Sequence, residues 1–341
     1  MSSGPLRIAL TYSVDLEFAP GDEAWLEPSC GLESVEAVEA ACAESGWEIW
    51  RVVVDHDLAA AVDALEKRRP DVVFSMVESV NGDARLEAGM AYLLEWLGIP
   101  YTGAPPLALS LALHKPHARA MLRSAGVPVP RGSVLERFDA SLDGLAYPVI
   151  VKPAREDGSM GISSASVAGA EDAARERVRY ILEKFAQPAV VEEFVDGREF
   201  PVSLLGPTED PDVLPLREID YQLPPHLPRL LSYEAKWVTD SPEYGGTPAV
   251  AAPDVDGELG RQLRAIAQAA YRAMGLRDYG RVDIRLHPTA GPVVVDVNPN
   301  PELLPGDAGI AAAALEAGLS FVELIRFIVE QAVARGTPPR A

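Results

Sequence analysis

Lysine is scarce in this chain: of 30 basic residues only Lys67, Lys115, Lys152, Lys184 and Lys236 are lysine. In an arginine-preferring sequence a retained lysine is a candidate for work that needs a compact point charge, such as contact with phosphate. Lys67 and Lys184 stand in charged helical surroundings and suit an ordinary surface role. Cysteine is scarcer still. Cys30 and Cys42 are too few for a disulfide framework, so a reduced, cytoplasmic setting is expected. Positive charge is short overall, with a formal net charge of −21. That excludes general nucleic-acid binding, which needs Lys and Arg to neutralise phosphates, but not a nucleotide held in a locally basic site. No run of about 18 apolar residues occurs, so no membrane-spanning helix is expected. The N-terminus leads directly into a strand pattern and lacks a signal-peptide signature. No internal repeat or extended low-complexity segment is visible.

What remains is an ordinary globular composition, 48% hydrophobic over 341 residues, enough for two or three domains. Residues 6–110 alternate strand and helix patterns: strands at 6–11, 48–54 and 71–77, helices at 34–45, 58–68 and 84–97. Such alternation predicts a mostly parallel sheet with helices on both faces. Ligands of these sheets gather at the carboxyl ends of the strands, which brings forward Glu27 or Glu33 and Glu78. A short helix at 118–125 and a Pro-rich linker at 127–132 follow. A second unit has strands at 147–152, 189–194 and 199–205 and a helix at 170–185. The third carries a long irregular segment at 233–253, a helix at 257–274 and terminal helices at 308–317 and 320–334.

The densest chemistry lies near the end. Arg281-Val-Asp-Ile-Arg-Leu286 and Val293-Val-Val-Asp-Val-Asn-Pro-Asn-Pro301 both alternate apolar and polar residues, as strands do. Turn formers separate them. Paired, they would place Arg281, Asp283, Asp296 and Asn298 on one face. Two carboxylates and a carboxamide oxygen are hard ligands that suit Mg²⁺, with Arg281 beside them to stabilise developing negative charge. An ordinary half-exposed sheet face would show the same pattern.

Three other segments suit a nucleotide. Val149-Ile-Val-Lys152 is a strand running into a loop with Gly158 and Gly161, where successive N–H groups can face an anion. It is not a Gly-x-x-x-x-Gly-Lys phosphate loop. Ala189-Val-Val-Glu-Glu-Phe-Val195 gives an apolar strand with an acidic edge, and Glu192 or Glu199 could take ribose hydroxyls. Lys236 precedes a loop with Gly245, Gly246 and Pro248, as in a lid that closes over phosphates. Each alone could equally be a surface hairpin or connection.

Taken in order, these segments resemble the D-alanine–D-alanine ligase family of the ATP-grasp superfamily. The resemblance covers nearly the whole chain, through Gly98-Ile-Pro-Tyr-Thr-Gly103, Gly126-Val-Pro-Val-Pro130, Val149-Ile-Val-Lys-Pro153, Val191-Glu-Glu-Phe194, Tyr233-Glu-Ala-Lys236, Gly280-Arg-Val-Asp283 and Asp296-Val-Asn298. It implies an α/β fold, α+β within the ATP-grasp part: an N-terminal domain at 1–112, a central ATP-grasp subdomain at 113–206 and a C-terminal one at 207–341. It implies ATP and Mg²⁺, with Mn²⁺ as a substitute. Lys115, Lys152 and Lys236 match ATP-contacting lysines, and Glu192, Glu193, Phe194, Val195 and Glu199 the adenine and ribose contacts. Asp283, Asp296 and Asn298 match metal ligands. Arg281, with the Ser159–Gly161 part of the loop, matches the groups that stabilise the intermediate. The implied reaction joins a small-molecule carboxylate to an amine through an acyl phosphate. No membrane or nucleic-acid partner is expected. Related ligases are often homodimers, though no interface is readable here.

The substrate pocket departs from the family pattern. The strand-end loop reads Val77-Glu78-Ser79 where the family has a histidine, Trp237 stands where a tyrosine is usual, and the first serine of the Gly loop is missing. Asp296 replaces the usual Glu. After Asn298 the chain runs Pro299-Asn-Pro-Glu302, and Asp307 falls where a serine meets the second substrate's carboxylate. Glu27 is a candidate for the first substrate. Glu78, Glu302 and Asp307 predict an acceptor with a cationic or carboxylate-free end. The alternatives are a true D-alanine–D-alanine ligase and a non-catalytic nucleotide-binding protein.

Overall fold

The computed structural model describes residues 4–13, 30–255, 257–306 and 309–336. The N-terminal part forms a parallel sheet of β1 (Arg7–Ser13), β2 (Glu48–Val54) and β3 (Val72–Met76), in the order β2-β1-β3. Helices α1 (Cys30–Glu44), α2 (Leu58–Arg68) and α3 (Glu87–Leu97) complete it. Gly98, at φ 70°, ends α3, as its lack of a Cβ permits. The Ala/Leu-rich stretch that followed unassigned in the sequence is a helix, α4 (Pro106–Leu113), and α5 (Lys115–Ser124) begins earlier than its pattern suggested. Proline at the start of each explains this, since Pro is preorganised for the first helical turn.

The central lobe is an antiparallel sheet, β4 (Gly132–Leu135), β5 (Val149–Pro153), β6 (Val167–Ala168) and β7 (Ala189–Glu193), in the order β4-β7-β5-β6. It is covered by α6 (Glu171–Lys184), and Val149, Val151, Val178, Ile181 and Val191 form a core of their own. The linker expected at 127–132 therefore runs straight into a strand.

A second antiparallel sheet carries the densest chemistry. Strands β8 (Glu199–Gly206) and β9 (Asp212–Val213) join two later strands, β12 (Asp278–His287) and β13 (Gly291–Asn298), in the order β13-β12-β8-β9. Between them in sequence comes the small pair β10 (Arg217–Ile219) and β11 (Ala249–Ala251). The segment expected to be irregular holds β11 and two short helices, α7 (Tyr233–Trp237) and α8 (Pro242–Gly245), each started by a serine cap. Helix α9 (Gly257–Met274) buries Leu263, Ala267, Ala270, Tyr271 and Met274 along one stripe. Full burial of a side chain such as Leu263 contributes about 1.5–3 kcal/mol. Strands β12 (Asp278–His287) and β13 (Gly291–Asn298) form the expected hairpin.

The chain ends in α10 (Gly309–Glu316) and α11 (Phe321–Arg335), the latter started by a reciprocal Ser320–Glu323 capping box. Their Ile310, Leu324, Ile328 and Val329 share one core with Ile8, Leu10 and Phe74 of the N-terminal sheet. Arg335 closes the joint by donating to buried Asp278 at 2.5 and 3.0 Å and to the Tyr101 carbonyl at 2.7 Å. No described helix is long and apolar enough to cross a membrane.

Gly197, in the turn from β7 to β8, lies against β12. A Cβ there would stand 1.9 Å from the Leu286 carbonyl oxygen. Both partners are backbone, so neither can step aside. Gly197→Ala is expected to destabilise the protein by about 1–3 kcal/mol, measured by denaturant unfolding. A wild-type midpoint would show that the turn yields freely.

Candidate active site

Across the β12–β13 hairpin Arg281 faces Asn298 and Asp283 faces Asp296. Residues directly opposite in an antiparallel pair share a face, so the four side chains converge as their alternation predicted. A bulge after Asp283 shifts the register, since Ile284 pairs with Val294 and Val295 becomes the extra residue. Bulges bend a strand locally, here just before the Asp296 carboxylate. Arg281 grips Asp283 with two bonds, Nε to Oδ1 at 2.7 Å and Nη2 to Oδ2 at 2.9 Å. The Asn298 Oδ1 accepts the Asn300 N–H at 2.9 Å, which fixes its carboxamide.

Charge is unevenly distributed here. Burial alone would raise the Asp296 carboxyl, but Lys115, Lys152, Lys236 and Arg281 together hold it below its ordinary value. Four cations around one carboxylate leave room for a polyanion. Asp283, Asp296 and Asn298 offer only oxygen. No three His, Cys, Asp or Glu groups among the described residues converge as a complete metal cage. A divalent ion would thus complete its shell with water and phosphate oxygens, the usual habit of Mg²⁺. The residues fit that group.

Lys152 is the last residue but one of β5 and is buried. Its Nζ pairs with Glu192 Oε2 at 3.0 Å, and the other Glu192 oxygen takes the guanidinium of Arg119. Arg119 also donates to the Pro130 carbonyl at 2.8 Å. Burial, then Lys115 and Arg119, bring Lys152 down to about 8 despite nearby Asp296. Burial, and then Arg281, likewise lower Lys236. Lys115 donates to the Glu156 carbonyl, just before the Gly loop.

The acidic edge is more committed than the sequence suggested. Glu199 pairs with Arg285 at 2.8 Å and accepts the Tyr221 hydroxyl at 2.5 Å. The Glu193 carboxylate accepts the Ala146 N–H at 3.0 Å. The N–H groups of Glu193 and Phe194 donate to Arg131 and Pro148 carbonyls, and the Val195 carbonyl accepts from Gly197 and Arg285. The Val195 N–H has no backbone acceptor among the described residues.

In the Gly loop, Gly158, Ser159 and Gly161 all have positive φ, at 57°, 64° and 69°. The Gly158 N–H turns to Asp157 Oδ1 and the Met160 N–H to the Asp157 carbonyl. The Ser159 and Gly161 N–H groups have no backbone acceptor among the described residues. The Ser159 hydroxyl donates to the Leu231 carbonyl at 2.9 Å, so its side chain ties the loop to the segment before α7. The Trp237 indole N–H donates to the Gly158 carbonyl at 2.7 Å.

A cavity of about 1300 Å³ opens beside these groups, lined by Gly158, Lys236, Trp237, Arg281, Asp283 and Asn298, and also by Glu78 and Glu302. Glu78 is exposed on the loop after β3. Much of Glu302 is open to solvent, yet the protein packed around its carboxyl pushes it up. Glu33 lies close enough to raise it further. Glu27 and Asp307 lie outside the described residues. Sequence reasoning missed Arg119, Tyr221, Arg285, Glu87 and Asn300. Arg119 falls one helical turn after Lys115, a spacing that could have revealed it. Glu87 looked like an ordinary acidic residue opening a helix.

The two antiparallel lobes with a nucleotide-sized cationic site between them define an ATP-grasp ligase. A D-alanine–D-alanine ligase from Bacillus anthracis solved with ATP superposes with a TM-score of 0.74 over 97% of this chain and 98% of its own, at 18% identity. The family described as the D-ala D-ala ligase C-terminus matches residues 121–330. A D-alanine–D-alanine ligase of Methylorubrum extorquens is 31% identical, covering 90% of this chain and 94% of its own. The uncharacterized protein y4sG of Sinorhizobium fredii is 34% identical, covering 88% and 87%. The chain belongs to the D-alanine–D-alanine ligase family.

Two outcomes follow from the buried charges. Arg119→Ala leaves Glu192 buried with Lys152 as its remaining partner, and should destabilise the protein by about 3 kcal/mol, read from thermal or denaturant unfolding. Unchanged stability would show that Lys152 alone satisfies Glu192. In the free protein Lys152 is charged below about 8 and loses its proton above it. Phosphates placed against Lys152 would favour the charged form, and Mg-ATP binding should then take up protons at about pH 9 and be weaker than at about pH 7. Calorimetry in two buffers of different ionisation enthalpy checks this, and absence of uptake would place the lysine elsewhere.

Proposed function

We propose that this protein forms an amide bond between a small carboxylic acid and an amine, using ATP through an acyl phosphate. The convergence of Lys115, Lys152, Lys236 and Arg281 around Asp296 carries this reading. Lys152 and Arg281 also hold Glu192 and Asp283, yet Lys115 and Lys236 add positive charge that these carboxylates do not need and a triphosphate does. The substrate carboxylate oxygen attacks the γ-phosphorus, the bond to the β–γ bridging oxygen breaks, and ADP leaves. The amine nitrogen then attacks the acyl carbon, the carbon–oxygen bond to phosphate breaks, and inorganic phosphate departs as the amine sheds a proton. Positioning and charge neutralisation supply most of such catalysis.

Lys152 and Lys236 hold the phosphates, with Lys115 beside them. Asp283, Asp296 and Asn298 would hold Mg²⁺, or Mn²⁺ in its place, which when bound neutralises phosphate charge. Arg281 and the N–H groups of Ser159 and Gly161 face the oxyanion. Val195 meets the adenine edge, and Glu199, freed from Tyr221, a ribose hydroxyl. Domains at 1–112, 113–206 and 207–341, a cytoplasmic setting and a homodimer belong to the same reading, except that strand β8, expected in the second unit, joins the sheet of the third. The second reading, a D-alanine–D-alanine ligase proper, is favoured by relatives that bear that name. A non-catalytic role fits poorly with so complete a cationic and oxygen-ligand set.

Hydroxylamine traps acyl phosphates without needing the natural acceptor. With Mg-ATP and pooled D- and L-amino acids, the protein should release ADP and form a hydroxamate. Arg281→Ala should lower that turnover by about 10²–10³-fold while weakening ATP binding much less. Equal losses in turnover and ATP binding would make Arg281 a nucleotide anchor only.

A further inference from the structure

The Gly loop is held from outside by Arg177, in the middle of α6. Its Nη2 donates to the Gly161 carbonyl at 2.6 Å. The guanidinium lies 4.2 Å from the centre of the Tyr180 ring, which seats it. At the other end of the same peptide, the Ile162 N–H donates to the Ser159 carbonyl at 2.9 Å. The peptide joining residues 161 and 162 is therefore fixed at both its oxygen and its hydrogen. Further back, the Met160 N–H is fixed by the Asp157 carbonyl at 2.9 Å. The peptide between these two carries the Gly161 N–H, and its held neighbours set the direction of that N–H.

Gly161 needs such a hold. At φ 69° it adopts a conformation that glycine enters and leaves at little steric cost. A side chain cannot stiffen it, because a Cβ there would stand 2.6 Å from the Phe185 ring and 2.7 Å from Pro153. The carbonyl is what can be gripped, and Arg177 grips it.

Arg177 also faces toward α7, the helix that carries Lys236. The charge of Glu234, two residues before that lysine, bears on it. Arg177 Nε and Glu234 Oε2 are both buried without a hydrogen-bond partner among the described residues, a cationic donor and an anionic acceptor. Buried atoms left unpaired are few and costly, so a complementary couple of them points to a bond made when the site is filled. The backbone already joins the two segments, since the Tyr233 N–H donates to the Ile162 carbonyl at 2.8 Å.

We propose that Arg177 is a positioning residue for amine attack: it aims the Gly161 N–H at the oxyanion, and Glu234, by pairing with its Nε, ties that aim to the helix bearing Lys236. Neither side chain touches substrate in this role. The inference rests on the ligase reading above and adds to it the residues that hold its oxyanion donor.

The test uses Arg177→Met, which keeps bulk and removes the donors, with Arg177→Lys as the conservative variant and Glu234→Met as the partner. With Mg-ATP, hydroxylamine and a donor that yields hydroxamate, Arg177→Met should lower kcat by about tenfold or more while the Kd of Mg-ATP stays within about threefold. Arg177→Lys should recover part of kcat. The double variant Arg177→Met, Glu234→Met should fall no lower than Arg177→Met alone, because Glu234 acts through Arg177. Losses that multiply, or a Kd that rises as far as kcat falls, would overturn the proposal. Hydrogen exchange read by mass spectrometry tests the same link without turnover. Residues 155–163 should exchange about tenfold faster in Arg177→Met and in Glu234→Met, with α9 exchanging as in the wild type. Unchanged exchange of residues 155–163 in Arg177→Met would overturn the proposal, as would an equal rise in α9, the mark of a general loss of stability. Absence of hydroxamate from the wild type with every donor would remove the ligase reading, and the exchange result would still decide whether this pair holds the loop.

Discussion

The register of one hairpin governs the site. Asp283 and Asp296 meet because β12 and β13 pair with that offset, and Arg281 and Asn298 meet two residues further on. A slip of one residue would turn either strand's polar set toward the packed side of the sheet. The bulge at Val295 and the antiparallel partner β8 on the far side of β12 fix this offset. Helix α9 packs beneath, so the core and the chemistry are set by the same pairing.

Around that hairpin the charges form two kinds of arrangement. Glu192 between Lys152 and Arg119, and Glu199 between Arg285 and Tyr221, are neutralised networks that can be buried without a ligand. Asp296 is different: Lys115 and Lys236 bear on it as well as Lys152 and Arg281, which have carboxylate partners of their own, so positive charge is in excess there. Excess positive charge around one buried carboxylate is an arrangement that a protein retains where an anionic ligand completes it.

Much of this was legible in the sequence because it is local. Period-two alternation placed Arg281, Asp283, Asp296 and Asn298 on one face, and glycine after α3 marked its end. The scarcity of lysine pointed to Lys115, Lys152 and Lys236, and all three converge on Asp296. The contacts that were not legible join distant segments. Arg119 reaches Glu192 across 73 positions and Asn300 reaches Glu87 across 213, separations that no local periodicity encodes. The 233–253 segment looked irregular because its helices are a single turn each, too short to show a stripe. Ser159 looked like a catalytic group and Trp237 like a substrate group, but both also lace the Gly loop to that segment through backbone carbonyls.

The shared core of β1, β3 and α11 has a consequence for how the protein is made. Phe74 lies in the first quarter of the chain and Ile328 near its end, yet each needs the other to be covered. At about 5–20 residues per second, synthesis separates them by on the order of tens of seconds. Early in that interval α1 alone, through Val35, Val38 and Cys42, can cover this face of the sheet, and the core is complete only once α11 has been made.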